Sequence, residues 1–90
     1  MRITIKMLES AIDELNRQTN SPPTPWTRID GRNFANIGNF HLYRCLGVYS
    51  VHRVVNSGGG ATSPFSSDSA RGLLDMIRAA LTGIRLAREE

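Results

Sequence analysis

The amino-acid sequence predicts a single α+β domain in which a three-stranded antiparallel meander packs against two helices. Apolar residues recur at helical spacing near both ends of the chain, and they alternate with polar residues in the middle. Ninety residues supply one hydrophobic core and no second domain, so residues 1–90 form one unit. The two apolar helix stripes are the available cover for one sheet face, which predicts a two-layer α-β-β-β-α arrangement.

Apolar spacing predicts the first helix at about residues 5–17. Ile5, Leu8, Ile12 and Leu15 follow one another at intervals of three and four, as on one face of an amphipathic helix. Thr4 precedes them and can cap the first turn through its hydroxyl. The sequence TNSPPTP then ends the helix, because proline cannot continue the hydrogen-bond ladder.

Alternating apolar and polar residues predict three strands between about residues 26 and 56. They are WTRI, FANIGNFHLYR and GVYSVHRVVN, with DGRN as a turn after the first. If the last two pair through a short loop at Leu46 and Gly47, opposite residues have numbers that sum to about 93. The core face then carries Phe40, Leu42, Tyr49, Val51 and Val55. The opposite, more polar face carries His41, Tyr43, Cys45, Ser50, His52 and Val54.

A glycine-rich stretch, VVNSGGGATSPFSSD, leads from the strands to the last helix. It has the order of a phosphate-binding loop but lacks the lysine and hydroxyl that must follow the last glycine, so we predict no nucleotide cofactor. Three adjacent glycines favour irregular backbone, and we expect a flexible loop at residues 56–66. The alternative is a loop that orders against a partner, with Phe65 as its anchor. We interpret Trp26 as a core anchor that covers one end of the sheet; the alternative is an exposed hot spot for a partner.

The second helix is predicted at about residues 67–88, with Ser66 or Ser67 as its N-cap. Its apolar stripe consists of Leu73, Leu74, Ile77, Ala80, Leu81 and Ile84. Arg71, Arg78 and Arg85 recur every seven residues on another stripe. A solvated face is the ordinary interpretation of such a stripe; the alternative is a surface that binds an acidic partner.

Composition restricts the partners and the compartment. The net charge is +3, and ten of the eleven basic residues are arginine, which offers a planar fork to phosphate and carboxylate groups. A coding bias toward arginine explains the same counts. No long apolar run or signal peptide is apparent, so we expect a cytoplasmic protein without a membrane segment. The single cysteine, Cys45, excludes an internal disulfide framework.

The predicted sheet brings two histidines together without completing a catalytic or metal site. His41 and His52 become cross-strand neighbours, but zinc needs three or four protein ligands and Cys45 is the one further candidate nearby. No Asp or Glu lies between Asp30 and Asp68 to orient an imidazole. The sequence therefore predicts no metal, no cofactor and no enzymatic activity.

The stretch NIGNFHLYRCLGVYSVHRVVNSGGG, preceded by MLESAIDELNRQTNSP and followed by ARGLLDMIRAALTGI, resembles a loose group of small phage-encoded proteins of unknown function. That group shares a strand of the form Asn-x-Gly-x-x-His-Leu, a Gly-containing turn, a Val-Val-Asn strand end and a glycine run. The matching positions here are Asn36, Gly38, His41, Leu42, Gly47, Val54, Val55, Asn56, Gly58, Gly59 and Gly60. Arg44, Cys45 and Ser57 depart from the usual pattern. The resemblance implies a phage or prophage accessory protein that binds a bacterial host protein, and it implies no active site.

Two functions follow as hypotheses. The first is a non-enzymatic accessory protein that binds and modulates a host protein in the bacterial cytoplasm. The alternative is a small nucleic-acid-binding domain that uses the Arg stripe and the polar sheet face; the αβββα order is also that of double-stranded RNA-binding domains, although the opening SSDSARG of the last helix lacks their basic cluster. Homodimerisation through an exposed sheet edge is a further possibility. The candidate partner-binding residues are Arg71, Arg78, Arg85, Phe65, His41, Tyr43 and His52.

Overall fold

The computed structural model describes residues 2–89 and confirms an α+β architecture. The chain runs through a helix, five strands and a second helix. Their bounds are α1 (Ile5–Gln18), β1 (Trp26–Ile29), β2 (Arg32–Ala35), β3 (Phe40–Cys45), β4 (Val48–Val54), β5 (Ala61–Ser67) and α2 (Ala70–Arg88). Neither helix in this described part of the chain is both long enough and apolar enough to cross a membrane.

The strands form two antiparallel sheets where the sequence predicted one. β1 and β2 make a separate hairpin, and β3, β4 and β5 make a three-stranded meander. Asp30 and Gly31 have φ angles of 50° and 77°, which suit the tight turn of a two-residue hairpin. Gly38, with a φ of 96°, lies in the irregular segment that divides the predicted strand FANIGNFHLYR into β2 and β3.

The β3–β4 register is the predicted one, since Phe40 lies opposite Arg53 and Cys45 opposite Val48. Phe40 and Val51 are buried on the helix side. Val54, which was assigned to the opposite face, is buried but lies outside the helix-side core cluster. The assignment of Val55 to the core face was wrong, because Val55 is exposed. The reason is that β4 ends at Val54, whose backbone bonds with Gly38 and Asn39, so Val55 lies beyond the regular alternation.

The expected flexible loop at residues 56–66 is instead a tight turn followed by strand β5. The side-chain oxygen of Asn56 accepts hydrogen bonds from the backbone N–H groups of Gly58 (3.0 Å) and Gly60 (2.9 Å). The Val55 N–H donates to the carbonyl of Gly60 at 2.8 Å. These bonds return the chain antiparallel to β4, and residues from Ala61 onward pair with it. The glycines therefore form the turn between β4 and β5.

Both helices cover the same face of the meander. Thr4 caps α1 as predicted, accepting from the Met7 N–H at 3.2 Å. The cap of α2 is Ser69, not Ser66 or Ser67, because β5 continues through Ser67 and delays the start of the helix. The buried core consists of Leu8, Ile12, Leu15, Phe40, Val51, Leu73, Leu74 and Ile77.

A buried asparagine joins α1 to the outer edge of β3. The Asn16 amide nitrogen donates to the Phe40 carbonyl at 2.9 Å, and its side-chain oxygen accepts from the Phe40 N–H at 2.8 Å. Both groups are buried. The side chain thus takes the place of a neighbouring strand at one residue of this edge.

Candidate interaction surfaces

The face of the meander opposite the helices carries three rings in contact. His41 and His52 lie directly across from each other on β3 and β4, as the predicted register requires. The rings of Tyr43 and His52 stack with centroids 4.2 Å apart and planes 10° apart. His41 meets His52 edge to face, with centroids 5.8 Å apart. Three predicted site residues therefore form one aromatic group, which we call the ring cluster.

The environment of His41 favours its neutral form. Its Nδ1 donates to the side-chain oxygen of the buried Asn39 at 3.1 Å, and Asn39 in turn donates to the Pro22 carbonyl at 2.8 Å. Partial burial lowers the pKa of His41 below its ordinary value, and the charge of His52 lowers that pKa further. The ring cluster is consequently less cationic than two free histidines would be.

The residues that the structure describes contain no group of three or more His, Cys, Asp or Glu side chains able to hold a metal ion. Cys45 is exposed at the far end of β3. The ring cluster itself brings together two imidazoles and a phenol without a carboxylate partner.

The Arg stripe does not form one site with the ring cluster. Arg78 and Arg85 line a groove of about 410 Å³ between α1 and α2, together with Glu14 and Gln18. This groove belongs to the helix layer, whereas the ring cluster lies on the opposite face of the sheet. Arg71 lies in the first turn of α2, about 10 Å along the axis from Arg78. The predicted combination of Arg stripe and polar sheet face is therefore split over two sides of the molecule.

Phe65 is not a loop anchor. It lies in β5 opposite Val51, and its half-buried side chain packs against the core. The prediction failed because the loop that was expected to present Phe65 is a strand, and strand alternation directs this residue to the helix side.

The sequence analysis did not predict the exposed apolar side chains on and beside the β1–β2 hairpin. Trp26, Ile29, Phe34 and Ile37 are each between 48% and 57% exposed. The interpretation of Trp26 as a core anchor was wrong, because its strand belongs to the hairpin and not to the meander. The sequence analysis placed the turn at DGRN correctly, but it did not recognise that the Asp30–Gly31 pair closes a separate two-residue hairpin of WTRI with RNFA.

Side-chain hydrogen bonds of Asn36 close the base of the hairpin, and Trp26 joins that base to the glycine turn. Asn36 donates through its side-chain nitrogen to the Thr24 carbonyl (2.9 Å) and the Thr27 hydroxyl (2.8 Å). The Trp26 ring lies against Gly59, where a Cβ atom would be 2.5 Å from Cη2 of the indole. Ile29 and Phe34, further out, remain exposed.

Comparison of the chain with protein-family models, with curated proteins and with solved structures finds no match. The resemblance to small phage-encoded proteins stays a prediction.

Proposed function

We propose that this chain is a non-enzymatic accessory protein that binds another protein through its β1–β2 hairpin. The observation that carries the proposal is the exposure of large apolar side chains on this hairpin. Exposed aromatic and aliphatic side chains that neighbour each other, as Ile29 and Phe34 do here, are typical of sites that bind other proteins, where aromatic side chains contribute much of the binding free energy.

One face of the hairpin offers a defined contact surface. Thr27 pairs with Phe34 and Ile29 pairs with Arg32, so these four side chains share a face. Ile29 and Phe34 are diagonal neighbours there, and Arg32 supplies a charged rim. An apolar centre with a polar edge is the usual anatomy of a protein interface.

Apart from the contact of Trp26 with Gly59, the hairpin has little support from the main body. It pairs with none of the strands of the meander, and an isolated two-stranded hairpin is at best marginally stable in water. The radius of gyration of 13.7 Å exceeds the value of about 12 Å expected for a compact domain of this length. A projecting, weakly supported hairpin gains stability when a partner covers its apolar face.

The resemblance described above supports a bacterial host protein as the partner and the bacterial cytoplasm as the compartment. The resemblance implies a protein that binds and modulates a host protein, and such a role requires no active site. The exposed hairpin face is suited to such a role.

Affinity capture from nuclease-treated bacterial lysate tests the proposal with three baits. The wild type is compared with a hairpin variant, Ile29→Ser with Phe34→Ser, and with a control, Met76→Ser with Leu86→Ser. The control side chains lie on α2 and are exposed to a similar extent. We expect the wild type and the control to retain the same protein in stoichiometric amount, and the hairpin variant to lose it. Recovery of no stoichiometric protein, or its retention by the hairpin variant, contradicts the proposal.

The stacked Tyr43 and His52 rings favour a second candidate, a single-stranded nucleic-acid binder that uses the ring cluster. Bases stack on exposed aromatic rings of open sheets in several RNA-binding folds. Binding of a labelled oligonucleotide should weaken steeply with salt, and Tyr43→Ala should lower the affinity by about tenfold or more. Absence of binding at low salt, or binding that is insensitive to salt, removes this candidate.

A further inference from the structure

We propose that two copies of this chain associate through the outer edges of their β3 strands, which join the two meanders into one six-stranded antiparallel sheet. This inference concerns the meander and does not depend on the hairpin surface. It rests on the free part of the β3 edge, on an acidic depression beside that edge, and on two residues of β3 and its turn that complement the depression.

The edge of β3 is free over a short and well-defined stretch. β4 is the one strand that pairs with β3 in the described chain, so β3 is an edge strand. The backbone groups of Phe40 point outward, since they bond with Asn16. In an antiparallel strand every second residue points the same way, so the outward groups of Leu42 and Arg44 are available for pairing. β3 ends at Cys45, and the chain then enters the turn at Leu46 and Gly47.

These limits select one register. With the groups of Phe40 already bonded, a second β3 strand can form its ladder with Leu42 and Arg44. One antiparallel register lets Leu42 and Arg44 of each copy hydrogen-bond with the other copy. In this register Leu42 lies opposite Arg44 of the second copy. Tyr43 then lies opposite its own equivalent on the two-fold axis. Two other registers are each shifted by two residues. One would need the backbone groups of Phe40, which already bond with Asn16, for the ladder between the copies. The other would place Arg44 opposite Arg44 of the second copy, where like charges repel.

Charge complementarity supports this register. Glu9 and Asp13 lie one turn apart on α1 and line a depression of about 100 Å³ beside β3, with Ile12, Phe40 and Leu42 among its walls. The register brings Arg44 of the second copy opposite Leu42, and therefore next to these carboxylates. The symmetry of the pair produces the same contact twice.

The turn after β3 supplies an apolar contact for the same depression. Leu46 is 98% exposed and has a φ of 50°, a combination that is unusual for leucine. Leu46 follows β3 directly, so the same register brings Leu46 of the second copy beside the end of the depression that Phe40 and Pro23 line. An exposed leucine at a strained turn position is thereby covered on pairing.

The other edge of the meander is less suited to pairing. β5 forms that edge and contains Pro64, which has no N–H to donate to a ladder. β4 and β5 also show a register irregularity between Val51 and Arg53, and such irregularities bend an edge away from further strands. The β3 edge has no proline.

Sedimentation equilibrium of the full chain provides the first test, with a dimer expected at concentrations of about 100 µM, within the range of weak association. The register is tested by a disulfide. Tyr43→Cys in a Cys45→Ser background should form a covalent dimer under mild oxidation, because opposite residues of a non-hydrogen-bonded pair lie about 4.5 Å apart at Cα. Ser63→Cys in the same background, on β5, is the control and should remain monomeric in a denaturing gel.

A charge exchange tests the contact independently of the cysteine variants. Glu9→Arg and Arg44→Glu should each weaken the dimer by about tenfold, since each removes two symmetric attractions and creates repulsion. The double variant should recover most of the wild-type affinity. A chain that is monomeric at this concentration overturns the proposal. A dimer that Ser63→Cys cross-links as readily as Tyr43→Cys, or one unaffected by both charge reversals, overturns the assigned edge and register.

Discussion

Replacement of Asn16 by alanine should destabilise the fold far more than the loss of one polar side chain ordinarily does. The side chain satisfies both backbone groups of Phe40, and those groups are buried. Each buried group left without a partner costs about 1–3 kcal/mol. We therefore expect Asn16→Ala to lower the free energy of unfolding by about 3 kcal/mol, which is a large share of the roughly 5–13 kcal/mol typical of a chain of this length.

Urea unfolding followed by circular dichroism measures this effect, and the thermal midpoint should fall by roughly 15 °C. Asn33→Ala, at an exposed position of β2, is the matched control and should change the stability by less than about 0.5 kcal/mol. A loss below about 1 kcal/mol for Asn16→Ala refutes the reasoning, because it would mean that water reaches the Phe40 backbone at little cost.

Asn16→Asp separates the two hydrogen bonds through pH. An ionised carboxylate still accepts from the Phe40 N–H, but it cannot donate to the Phe40 carbonyl, whereas the protonated acid can do both. Burial and the facing carbonyl raise the pKa of the new Asp above its unfolded value of about 3.9. The protonated form is thus stabilising, and the stability of this variant relative to the wild type should improve as the pH falls from 7 toward 4. A difference that stays constant over this range contradicts the assigned donor.

Two further predictions concern the glycine turn and the ring cluster. Gly59→Ala should lower the free energy of unfolding by about 2 kcal/mol and shift the fluorescence emission of Trp26, because Gly59 has a φ of 86° and the added Cβ meets the indole. Gly31 also has a positive φ but lies in open space, so the control Gly31→Ala should leave the fluorescence emission unchanged. An NMR titration should place the His41 pKa below its ordinary value of 6.5, and His52→Gln should raise it. Because the folded-state pKa of His41 is depressed, its contribution to stability is present above the unfolded value and is lost as the pH falls through the folded one. A His41 pKa at or above the ordinary value contradicts this assignment.

The central part of the meander could be predicted from the sequence because a single short turn fixes its register. Once Leu46 and Gly47 are placed at the turn, strand alternation decides which face each residue occupies. This is why the neighbourhood of His41 and His52 was predicted. The amphipathic helices followed from spacing alone, with errors of a few residues at the start of α2.

Two features could not be predicted from residue patterns: the division of the strands into two sheets, and β5 as the third strand of the meander. β5 has the sequence ATSPFSS, which is small and polar and contains a proline, so its pairing with β4 is decided by the Asn56 turn and not by its own propensity. The exposure of the β1–β2 hairpin could not be predicted for a different reason. Alternation in WTRI and RNFA is the same whether one face meets a core or solvent, and only the tertiary arrangement distinguishes the two. The link between Asn16 and Phe40 joins residues 24 positions apart, beyond any local pattern.

The packing of α1 against α2 brings the first and last helices of the chain into contact along their length. Arg88 bonds with Gln18, 70 positions earlier in the chain, and α2 supplies three of the side chains in the buried core. A nascent chain that has not yet released α2 from the ribosome exposes the apolar face of α1 and one face of the meander. Because contacts between distant segments form late and exposed apolar surface attracts chaperones, we expect this chain to complete its folding only after α2 has been synthesised. Its yield in a cell should accordingly respond to chaperone supply.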